Sequence, residues 1–117
     1  MRKIIAVLAL ALAACAGTPE SPSQAVYAAH GAYATTLTAA LAYKRLPPCQ
    51  RAKPPCSDPA VVAQLQKADD VAFEALSAAQ RAVRTPGFGE DRIQTAIAVA
   101  NQAIGAFTAI TTRTRTP

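Results

Sequence analysis

Three cysteines, a single histidine and a close pair of carboxylates are the residues in this chain with chemistry to offer. Cys49 and Cys56 lie in RLPPCQRAKPPCSD, each after a Pro-Pro pair, with six residues between them. Two thiols so placed suit a disulfide, half of a metal site, or a redox pair. The spacing is not the C-x-x-C usual in thioredoxin-like exchange. His30 would need an orienting partner to act as a general base, and the sequence indicates none. Asp70 and Glu74 are four residues apart, on one side of a helix. Paired carboxylates do acid–base work when burial drives their pKa values apart, and this side reads as solvated. There is no G-x-S-x-G elbow, no phosphate-binding glycine loop and no H-E-x-x-H. The sequence gives no reason to expect a catalytic residue, a metal or a cofactor.

What the cysteines do depends on compartment, and the N-terminus speaks to that. The chain opens MRKIIAVLALALAACAG. Arg2 and Lys3 precede an unbroken apolar run, Ile4 to Ala14. As a helix that run would span roughly 16 Å. A bilayer core is about 30 Å thick, so it is too short to span one. A positive start, a short apolar core and small residues at its end read as a secretory signal peptide over 1–14.

The end of the run is more specific. Leu12-Ala13-Ala14-Cys15 resembles the lipobox of bacterial lipoproteins. The resemblance covers about the first fifteen residues. It implies that Cys15 receives a diacylglyceryl group and becomes the first mature residue. Two or more acyl chains hold a protein stably on a membrane where one is marginal. The chain is then expected to be anchored without spanning, through lipidated Cys15, with 15–20 as anchor and tether. Ala16 stands where an aspartate favours inner-membrane retention in enterobacterial lipoproteins. The resemblance therefore favours the outer membrane, facing the periplasm. In general pattern the chain is also similar to small lipoproteins of proteobacteria and their prophages, which brings no site residues with it.

With Cys15 lipidated, Cys49 and Cys56 form an even pair where disulfides persist. Two cysteines and His30 are too few for a four-ligand zinc site within the chain. A Cys49–Cys56 disulfide is the expectation.

Three segments must position these residues. Ser21-Pro22-Ser23-Gln24 reads as a capped helix start with proline at its first position. Val26, Ala29, Tyr33, Leu37, Ala40 and Leu41 follow at helical spacing, and Pro47-Pro48 ends the helix, giving about 21–46. Asp58-Pro59 restarts a helix. Its stripe is Val61, Leu65, Ala68, Ala72, Leu76, Ala79 and Val83, with Lys67, Asp70, Glu74, Ser77 and Arg81 opposite. Thr85-Pro86-Gly87-Phe88-Gly89 ends it, giving about 58–85. A third helix over about 90–112 carries Ile93, Ile97, Ala100, Ile104 and Phe107, with Ile110 alongside and Gln94, Asn101, Gln102 and Thr108 away from the stripe. Residues 113–117 read as a disordered basic tail. Short connections make successive helices antiparallel. The expected fold is all-α, a small antiparallel three-helix bundle spanning 21–112 with a disulfide-closed loop between its first two helices. Asp69, at the stripe's edge, is expected to pair with a basic group on a neighbouring helix. Gly31 and Gly105 mark either close backbone approach or weak spots.

The formal charge is +5, and about +3 without 1–14, from ten basic and seven acidic residues. In an exported protein this does not argue for nucleic acid. Arg45, Arg51 and Lys53 make the proline-rich loop basic, so it is either a recognition tip or, the leading reading, a structural staple. The functional expectation is a non-enzymatic, lipid-anchored envelope protein with a protein or cell-wall partner. A prophage lysis accessory, similar to outer-membrane spanin lipoproteins, is the second reading. A periplasmic binding protein or enzyme is the third.

Overall fold

A computed structural model describes residues 21–115. The signal segment, Cys15, the tether and the last two residues lie outside it. The fold is three helices: α1 (Pro22–Lys44), α2 (Pro59–Arg84) and α3 (Glu90–Arg113). Among the described residues no strand forms beyond one isolated bridge, Pro48 with Ser57.

Each helix starts where local chemistry supplies a partner for its free N–H groups. Ser21 is extended, and its Oγ accepts from the Gln24 N–H at 3.2 Å. Asp58 does the same for the Ala60 N–H at 2.8 Å. Proline follows both caps, where its missing N–H costs nothing. α3 has no side-chain cap. Gly89 precedes it at φ 92°, a conformation that strains any residue with a Cβ, and Gly87 sits at φ 73°. Glu90 and Asp91 supply negative charge to the first turn instead.

Tyr43 of α1 bonds to the first residues before α2, and Tyr33, near the middle of α1, reaches Asp69 near the middle of α2. Thr36 meets Thr108 of α3. Those contacts fix an up-down-up bundle, so the ends of α1 and α3 and the start of α2 lie together. α2 and α3 pack most extensively. Ala72, Ala79 and Ala100 are fully buried, and small side chains there let the backbones approach while Leu76 and Phe107 fill the remaining space.

The stripe expected on α2 is buried or half-buried at every position. On α1 two positions differ. Leu41 is 41% exposed, whereas Thr36 is 6% exposed. A 3.6-residue period from Val26 passes through Ala29, Tyr33, Thr36, Ala40 and Tyr43, so Leu37 and Leu41 fall one step round, beside α2. Thr36 tolerates burial because its hydroxyl bonds to the Ala32 carbonyl at 3.0 Å and meets Thr108 Oγ1 at 2.8 Å. A Cβ added at Gly31 or Gly105 would meet nothing within 4 Å. Neither glycine marks close approach within the described bundle. Each weakens its helix by up to ~1 kcal/mol relative to alanine.

Candidate functional site

The loop between α1 and α2 is the most constructed irregular segment. Ser57 anchors it: its N–H donates to the Pro47 carbonyl at 2.9 Å, and its carbonyl accepts from the Cys49 N–H at 3.0 Å. Its Oγ donates to the Leu46 carbonyl at 2.9 Å, and the residue is buried. The Tyr43 hydroxyl accepts the Asp58 N–H at 2.8 Å, tying the end of α1 to the start of α2. Cys49 and Cys56 are joined as a disulfide, with Cα atoms 4.9 Å apart. The Pro54–Pro55 peptide is cis. The prolines, the bridge and these bonds leave the loop little freedom.

Arg45, Arg51 and Lys53 are all exposed around this loop. α3 runs through Arg113 and delivers it to the same end. Thr114 and Arg115 follow in turns bonded back to Thr111 and Thr112. A groove of about 650 Å³ opens there between the loop and the end of α3. Tyr43, Leu46, Pro55, Val61 and Ile110 contribute its apolar surface, and Arg113 and Arg115 its basic edge. Reading the loop by itself missed this groove. The signal was available in the topology, because an up-down-up bundle must bring 44–58 and 113–115 together.

The other polar constellation joins α1 and α2. The Tyr33 hydroxyl donates to Asp69 Oδ1 at 2.6 Å. Asp69 therefore takes a tyrosine, not the basic group expected for it. A neutral phenol needs less desolvation than a cation and fits a half-buried helix interface. The Tyr33 ring also lies 6.4 Å from that of Phe73 and 6.2 Å from that of Phe107. Burial first, then the bond to Asp69 and the charges of Asp69 and Asp70, push the Tyr33 phenol up to about 12. A raised folded-state pKa gives stability that is complete below the unfolded tyrosine value and lost as pH rises through the folded one. Wild-type protein is expected to lose stability between about pH 10 and 12, and Tyr33→Phe to lose the Tyr33 share of that dependence. Denaturant midpoints measured across this range check it. Equal slopes in the two proteins would contradict the assignment.

His30, Asp70 and Glu74 are exposed. No three of the described His, Cys, Asp and Glu residues converge as a metal site. Every buried side-chain nitrogen or oxygen among the described residues has a hydrogen-bond partner. α3 is the one described helix long and apolar enough to cross a membrane, with a mean hydropathy of 1.3 over its best window. Its apolar residues Ile97, Ile104 and Phe107 are those that fill the bundle core, so moving it into lipid would strip the buried face of α2.

No protein-family model, curated protein or solved structure matches this chain.

Proposed function

We propose that this chain is a lipid-anchored protein of the bacterial cell envelope, held by acylated Cys15, whose helical bundle serves binding and not catalysis. The observation that carries the reading is the run Ile4–Ala14 ending in Leu12-Ala13-Ala14-Cys15. The joined Cys49 and Cys56 support it, since such bonds persist in oxidising compartments. The outer membrane, with the bundle in the periplasm, is the favoured location, because Ala16 is not an acidic retention residue. The partner is an envelope protein or cell-wall component.

The anchor sets how far the bundle reaches. Residues 15–20 span at most ~20 Å when extended. α1, with 23 residues, is ~35 Å long and starts at the tether. The disulfide loop at its far end can then reach at most ~55 Å from the lipid surface. The turn at 85–89 lies at the membrane-proximal end.

Growth of a bacterium expressing the chain with an alkyne-tagged palmitate tests the anchor. The wild-type protein is expected to take up the tag and sediment with membranes, and Cys15→Ser to carry no tag. Tag of equal intensity on Cys15→Ser would overturn the reading.

A further inference from the structure

The formal charge of this chain is not spread over it. Lys44, Arg45, Arg51, Lys53, Arg113 and Arg115 lie at the loop end of the bundle, against Asp58 alone. Over 15–117 the other four basic and six acidic residues leave −2, so the loop end carries +5 and the rest of that chain is slightly acidic. Lys44 and Arg113 sit in last turns, where a cation complements the helix dipole. Arg45, Arg51, Lys53 and Arg115 lie beyond helix ends, in loop or turn, and all four are exposed. Their concentration repels itself, and an acidic partner would offset that repulsion.

The shape of the site narrows that partner. The groove of about 650 Å³ is within the size range of sites that enclose a ligand. Tyr43, Leu46, Val61 and Ile110 line it with apolar surface, and the braced 54–56 segment and the end of α3 line it too. Only Arg113 and Arg115 of the six cations line it. A compact anion in the groove would leave the other four unanswered, whereas an elongated one with apolar side groups would use both features. We infer that this end docks an extended acidic peptide segment of a partner protein, whose apolar side chains enter the groove while its carboxylates meet the surrounding cations. A flat anionic bilayer fits less well, because no strongly exposed large hydrophobic residue lies in the loop to insert into it. Single-stranded nucleic acid fits less well too. It binds by stacking bases on open aromatic faces, and the groove's aromatic, Tyr43, is half-buried with its hydroxyl bonded to Asp58. The inference deepens the binding role proposed above but does not depend on the anchor.

Fluorescence anisotropy tests it with the full chain in detergent, read against empty micelles. The probe is a labelled peptide alternating glutamate and leucine, roughly 30 Å long when extended. Saturable binding is expected, weakened by about 0.5 M salt as exposed charges are screened. A lysine–leucine peptide is expected not to bind, and a glutamate–serine peptide to bind more weakly. Arg113→Glu with Arg115→Glu should lower affinity about tenfold. Arg51→Glu with Lys53→Glu, outside any helix, should lower it too with the helical circular dichroism unchanged. Equal binding of the lysine–leucine peptide, indifference to both double variants, or tighter binding of short single-stranded DNA or phosphatidylglycerol vesicles would overturn the inference. Because the acyl tag of Cys15 plays no part in this readout, failure here leaves the anchor standing, and failure of the anchor leaves this.

Discussion

Phe107→Ala is expected to destabilise the bundle by about 3–5 kcal/mol, the usual cost of emptying a buried aromatic site. Phe107 is 0% exposed and is one of the two largest fully buried side chains. Its ring touches the Tyr33 ring system from α3, while Leu76 packs from α2. The surrounding core is short of bulk that could move in, since Ala72, Ala79 and Ala100 carry a single methyl each. A domain of this size is stable by only about 5–14 kcal/mol, so the loss is a large share of the total. The melting temperature should fall by more than ~12 °C. Val99→Ala, at a position 50% exposed on the same helix, is the control and should stay within ~0.5 kcal/mol of wild type. A Phe107→Ala loss under about 1 kcal/mol would mean that the core is not centred where the structure puts it.

The second large effect belongs to the loop. Cys49→Ser with Cys56→Ser is expected to cost about 2.5 kcal/mol, from the entropy of an eight-residue ring in the unfolded chain. The bonds through Ser57 and the Tyr43–Asp58 contact survive that change, so the helices should keep their pairing. Urea denaturation checks the size, and an unchanged m-value would confirm that surface exposure on unfolding is the same. Coincident midpoints for the two proteins would show that the bridge contributes nothing to stability. The same variant bears on binding, because Cys56 and the adjacent prolines wall the groove.

Much of this architecture is legible from residue types alone. Pro22 and Pro59 after capping residues, and Pro47 and Pro86 just past helix ends, set α1 and α2 to within two residues, because proline acts locally and its rules do not depend on packing. The α2 stripe is legible because polar residues flank it sharply. α1 is harder, since alanine dominates all its faces and leaves period as the sole guide; that is why Leu41, expected in the stripe, is exposed, while Thr36, not expected there, is buried. Asp69 shows a second limit. Its position at the stripe's edge marks it as unusual, but its partner Tyr33 lies 36 residues away and depends on helix register. The groove is a third case. Its walls come from three segments, and only the assembled topology sets Arg113 beside Pro55.

The central claim is that Cys15 is a lipid anchor and the other two cysteines are a bridge. Intact-mass measurement of the chain extracted from bacterial membranes, with and without reduction and alkylation, tests both halves. The account predicts a chain that starts at Cys15 with added acyl mass, and two thiols that alkylate only after reduction. A chain of unmodified mass beginning at Met1, with all three thiols reacting freely, would contradict it.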